Sequence, residues 1–272
     1  SFTGGTVREA PTIAKRLDRL GLRCACIAFP GTWPPEKLEH GVFMSGWDSP
    51  VAFEAKESFL WPPSLYPEIK ARFGAWRFDD VNEFQADRAD WHRSLPRRLE
   101  ERIERKENFA RWLLEDRDWD LFALYFGESD TASHHLYALH DPESPRHPEA
   151  CDEGLREGLR RVYEALDRSL ERLWKAAGEE SEICIVSDHG FGGSSDKVLY
   201  LNRALEQAGL LRFKPPRLQV GTKILAQLRQ LGLRAIPPRW KDTLFNVAGR
   251  ALPGWLESRS RFAAIDMEQT RV

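Results

Sequence analysis

Three short apolar runs stand out along the chain: Leu22 to Phe29 (LRCACIAF), Asp120 to Phe126 (DLFALYF) and Ile183 to Val186 (ICIV). Apolar runs of this length, bounded by turn residues, suit strands buried on both faces. Amphipathic stretches lie between them. Thr12 to Leu20 has helical spacing, with Pro11 at its start and Gly21 at its end. Leu99 to Arg117 is charged, with Ile103, Phe109, Leu113 and Trp112 on its apolar side. Glu157 to Lys175 repeats Leu159, Val162, Leu166, Leu170 and Leu173 at helical intervals, and Tyr200 to Ala208 ends at Gly209. Helix and buried strand in alternation predict an α/β fold: a mainly parallel central sheet with helices on both faces.

The pattern is interrupted twice. From Val51 to about Trp91 it is irregular and aromatic, with Trp61, Trp76 and Trp91; from Pro215 to Arg261 it mixes helical pieces, proline pairs and basic residues. Residues 51–119 and 211–262 are therefore expected to hold cap or insertion segments, carried by one domain over 1–272. Pro30 to Pro35 forms a turn-rich loop after the first strand, at the end of the sheet where open α/β folds bind ligands.

Composition narrows the function classes. With 40 basic and 42 acidic residues the net charge is −2, which leaves no signature of non-specific nucleic-acid binding. No apolar run reaches the 18 or so residues of a membrane span. Cys24, Cys26, Cys151 and Cys184 are too few for a disulfide framework, and three of them lie in core-like runs, compatible with a cytoplasmic location. The chain opens Ser1-Phe2-Thr3 without a signal pattern and stops at Thr270-Arg271-Val272 on what resembles the start of a strand. A segment of a longer protein is expected.

Two clusters carry candidate chemistry, each after an apolar run. In Asp130-x-x-x-His134, residues four apart on a helix share a face, so a carboxylate and an imidazole can reach one cation. In Asp188-His189 the pair leads into Gly190, Gly192 and Gly193, which let the backbone bend. Asp and His together suit Zn²⁺ or Mn²⁺, and two pairs at one sheet edge suggest a two-metal centre. Either pair could instead serve structural hydrogen bonds. Cys24-Ala25-Cys26 lies in an apolar run and is expected to be core.

Val186-Ser187-Asp188-His189-Gly190-Phe191-Gly192 resembles the metal-binding signature of the alkaline phosphatase superfamily, in its type I phosphodiesterase/nucleotide pyrophosphatase branch. Gly127-Glu128-Ser129-Asp130 through His134 resembles that family's second metal pair. Phe29 to Pro35, Gly41 to Trp47 and Ile265 to Thr270 are similar to stretches of its microbial members. The resemblance implies an alkaline-phosphatase-like core, incomplete at both ends, and a hydrolase of phosphodiester or nucleotide pyrophosphate bonds. Asp188 and His189 would hold one of two divalent ions, Zn²⁺ or Mn²⁺, and Asp130 and His134 the other. A Thr or Ser nucleophile would attack phosphorus in a small phosphorylated substrate and form a covalent intermediate. The family's nucleophile and two remaining ligands have no counterpart here; the hydroxyls of Thr32 and Ser45 lie in a different context. The segment alone is expected to be inactive. A sulfatase, a metal-dependent phosphomutase or a non-catalytic binder of phosphorylated ligands are alternatives on the same fold.

Overall fold

The computed structural model describes residues 8–46, 57–74, 89–214 and 264–271. The chain forms two compact units, divided near Lys197. In the larger unit four strands make one sheet in the order β3-β2-β1-β4, with β1 Cys24–Phe29, β2 Gly41–Ser45, β3 Leu60–Trp61 and β4 Leu121–Leu124. β1 runs parallel to both β2 and β4, and β3 is antiparallel at one edge. The sheet is thus mixed but mostly parallel.

Strand alternation sends successive side chains to opposite faces, and the core follows that rule. Cys24 and Phe43 pack with Ala14 of α1 (Ile13–Asp18) and with Leu38. Ala25, Ile27, Val42 and Met44 pack on the other face with Ile69 of α2 (Tyr66–Phe73) and with Phe109 and Leu113 of α3 (Ala89–Asp116). Helices therefore cover both faces. Burying a side chain such as Phe109 or Leu113, both fully inaccessible, contributes about 1.5–3 kcal/mol. Cys26 belongs to the core as well, where burial first and Glu36 second push its thiol up to about 12.

The helices match the sequence periodicity, α3 and α5 with longer bounds than expected and α1 and α6 with shorter ones. α1 begins at Thr12, whose Oγ1 accepts from the Lys15 amide at 3.1 Å. α3 extends upstream to Ala89 and buries Trp91, Leu95, Leu99 and Ile103. α4 (Glu128–His140) and α5 (Glu153–Ala177) pack with it, through Ala132 and Leu136 on α4 and Leu159 and Val162 on α5. Gly158 allows the close approach of α5 to α3: a Cβ there would lie 2.9 Å from Pro96 Cγ. The Glu107 carboxylate, 2% exposed, accepts two 2.6 Å hydrogen bonds from Arg172 across the same interface. The smaller unit contains α6 (Leu201–Gln207) and an antiparallel bridge between Phe213 and Ile265. Trp76 and residues 215–263 lie outside the described residues.

One expected strand is absent. Ile183 to Val186 joins no ladder among the described residues, and Ile185 and Val186 are 74% and 83% exposed. Four apolar residues hold a strand only when a neighbouring edge satisfies their backbone groups and covers their side chains. Among the described residues β4 is the edge strand on that side of the sheet, half-buried throughout. Conversely, β2 and the short β3 were not legible as strands: Gly41–Ser45 is surrounded by loop-like residues and is stabilised by its pairing with β1.

Candidate metal centre

β1 and β4 run in register, Cys24 opposite Leu121 and Ile27 opposite Leu124. Their C-terminal ends therefore finish side by side, with the Phe29 and Tyr125 rings 5.8 Å apart. Beyond β4 the chain turns through Gly127 into α4, which carries Asp130 in its first turn and His134 one turn later. The helical spacing brings the two together: His134 Nε2 lies 3.5 Å from Asp130 Oδ1. Both side chains face outward from the sheet edge, 61% and 40% exposed for His134 and Asp130.

Asp188 and His189 reach the same place by a different route. They sit in an irregular, exposed segment, Asp188 at a bend, with no strand behind them among the described residues. His189 Nε2 stands 4.0 Å from Asp130 Oδ1 and 3.7 Å from Asp188 Oδ2, so one imidazole lies between the two carboxylates. Phe191 anchors this segment on α4, its ring 4.9 Å from that of His134 and 5.6 Å from that of Tyr137. The His189 imidazole is raised above 6.5, first by its Nδ1 hydrogen bond to the Gly190 carbonyl (2.9 Å), then by the Asp188 and Asp130 charges.

The donor set suits divalent zinc or manganese: two carboxylates and two imidazoles, hard and borderline ligands. Two ligands on one tetrahedral zinc ion, each at about 2.0–2.1 Å, stand roughly 3.3 Å apart. The separations within each pair, 3.5 and 3.7 Å, are close to that spacing. Among the described residues no three His, Cys, Asp or Glu side chains form a closed metal-holding group. The arrangement is two open pairs side by side, each leaving most of an ion's coordination to other groups.

The hydroxyls near the end of β1 are structural. Ala28 has φ +65°, a left-handed conformation at the bulge where the β1–β2 register shifts. Just after it, Thr32 Oγ1 donates to the Phe29 carbonyl at 2.6 Å and accepts from Gly46 N at 3.2 Å, while Ser45 Oγ donates to the Thr32 carbonyl at 3.1 Å. These bonds use the hydroxyl proton of Thr32 and leave its oxygen buried.

Two features escaped the sequence reading. A groove of about 590 Å³ runs from Phe191 along α4 and α5, lined by Tyr137, Asp141, Arg160 and Tyr163 among others. Its residues come from three segments whose proximity only folding creates. The second is a buried ion pair between Lys106 and Glu128 at the start of α4. A carboxylate two residues before Asp130 was the one available signal.

Comparison with known proteins yields one finding. The family model Type I phosphodiesterase / nucleotide pyrophosphatase matches residues 4–254. No curated protein and no solved structure matches the chain.

Proposed function

The chain belongs to the type I phosphodiesterase/nucleotide pyrophosphatase family, and on that premise we propose that it supplies the two-metal centre of a hydrolase acting on phosphodiester or nucleotide pyrophosphate bonds. The observation that carries this reading is the convergence of Asp130, His134, Asp188 and His189, with neighbouring donors 3.5–4.0 Å apart. Family membership supports the hydrolase class; the assignment of these four residues as ligands is our own.

In this reading Asp130 and His134 hold one divalent ion, and Asp188 and His189 hold the other. Zn²⁺ fits the donors best and Mn²⁺ second. Such a pair of ions supplies Lewis-acid stabilisation of the transferring phosphoryl group and lowers the pKa of the attacking oxygen. The protein's own contributions are positional. α4 presents Asp130 and His134 on one face at the end of β4. Phe191 holds the second pair against that face. The half-exposed side chains leave room for a small phosphorylated substrate. Thr32 is committed to the turn after β1, so in this reading the nucleophile is another Thr or Ser hydroxyl.

The test is metal analysis of the full-length protein, with hydrolysis of bis-p-nitrophenyl phosphate compared with the monoester. Bound Zn²⁺ or Mn²⁺ with preference for the diester is the expected result. A metal-free protein that hydrolyses the diester, or a sulfate-ester preference, would overturn the proposal.

A further inference from the structure

Resting on the reading of Asp130 and His134 as a metal-binding pair, we propose that Lys106 and Glu128 are positioning residues: a buried clamp that sets the rotation of α4 and so aims that pair.

Glu128 is wholly inaccessible and Lys106 is 5% exposed. Lys106 Nζ donates to Glu128 Oε2 at 3.0 Å and stands 2.8 Å from Oε1, the latter a charge contact without hydrogen-bond alignment. The same ammonium donates to the Tyr125 carbonyl at 3.3 Å, and its charge lies over the Tyr125 and Phe126 rings at 5.9 and 5.6 Å. One group on α3 thus holds both the residue after β4 and the first residue of α4. Arg102, one turn earlier on α3, places a second cation 4.0 Å from Glu128 Oε1. α3 is itself fixed by buried Ile103 and Phe109 on either side of Lys106.

Packing holds α4 from Ala132 onward, but its first turn has no side-chain N-cap hydrogen bond, the N-cap residue being Gly127. Helix residues two apart differ by about 200° around the axis. Drawing Glu128 into the interior therefore turns Asp130 outward, and His134, four residues further on, follows on Asp130's side. A charged pair this deep contributes little net stability compared with an apolar pair of similar shape. Its geometric effect is specific: the ammonium fixes both the height and the rotation of the first turn.

The experiment compares the full-length parent protein with Lys106→Arg, Glu128→Gln and the double variant Lys106→Met/Glu128→Gln, which removes both charges and relieves the unpaired one. Thermal midpoint, amide hydrogen exchange over residues 127–134, and Zn²⁺ affinity by competition with a chromogenic chelator are measured on each. The double variant is expected to melt close to the parent, yet to exchange faster at 127–134 than along α5, and to bind Zn²⁺ about tenfold more weakly. Lys106→Arg, which keeps the charge, should retain both properties. Parental exchange in the double variant overturns the clamp. So does faster exchange with undiminished Zn²⁺ affinity, which would make the pair structural only. If the parent binds no Zn²⁺, the metal reading falls by itself, and selective exchange at 127–134 still decides the clamp. Should Glu128→Gln fail to fold, the double and Lys106→Arg variants carry the test.

Discussion

The two halves of the candidate centre have the same sequence grammar, an apolar run followed by Asp and His, and opposite structural support. Asp130 and His134 stand on a helix that follows a paired strand. Ala132 and Leu136 of that helix are fully buried, and Glu128 is locked to α3. Asp188 and His189 stand on an exposed segment whose preceding apolar run joins no ladder among the described residues. Its ties include Ser187 Oγ to the His189 carbonyl at 2.6 Å, Arg146 Nε to the Ser195 carbonyl at 2.8 Å, and the ring contacts of Phe191. The difference teaches that an apolar run becomes a strand through its neighbours. β4 has β1 beside it over four residues, and Ile183 to Val186 has no such partner among the described residues. One half of the site is preorganised by packing; the other rests on the Phe191 ring contacts and on polar contacts such as Arg146 to Ser195.

The largest expected effect treats the halves as equals. If both pairs bind metal, Asp130→Ala and Asp188→Ala in the full-length protein should each lower diester hydrolysis by more than the roughly 10–100-fold that outer-shell changes cost. Steady-state kinetics with metal content measured alongside checks this. Loss in one variant only would reduce the centre to one pair.

Stability should separate the halves. Leu136→Ala removes a fully buried side chain and should cost about 2–5 kcal/mol. Ile185→Ala, at a residue 74% exposed, should stay within about 0.5 kcal/mol. Urea unfolding of the two variants gives both numbers. A core-sized cost at Ile185 would mean that the run is buried after all, and the comparison would break.

Phe191→Ala sharpens the comparison further. Its tilted and edge-on ring contacts with Tyr137 and His134 are each worth about 0.5–1.5 kcal/mol. Amide exchange should rise across 187–194 and remain parental in α4. A parental rate across that segment would show that its polar contacts suffice to hold it.

The smallest effect is a pH dependence on the α3–α4 side. Burial first, and the neighbouring His135 second, hold the His92 imidazole below 6.5. A histidine with a lowered folded-state pKa contributes stability above its unfolded value and loses it as pH falls through the folded one. His92→Gln should therefore lessen the loss of stability on acidification below about pH 6.5, without changing it at pH 8. Parallel pH–stability curves for parent and variant would count against a neutral, half-buried His92.

Periodicity was sufficient for the larger part of the fold. The runs at 22–29 and 120–126 paired as parallel strands, and the stripe Leu159, Val162, Leu166 lay along α5 as its spacing required. The four-residue step from Asp130 to His134 was legible because helical geometry is local: intervals along the chain become positions on a face. Sheet membership is not local. Gly41–Ser45 became a strand because β1 offered an edge, and Ile183 to Val186 remained outside the sheet despite a stronger apolar pattern. Nor could spacing reveal that Lys106 of one helix meets Glu128 of another, or that His189 lies between two carboxylates. The Lys106–Glu128 and His189–Asp130 contacts join residues far apart in the chain. Closing such loops costs entropy that no local preference offsets, so only the packed tertiary structure decides them.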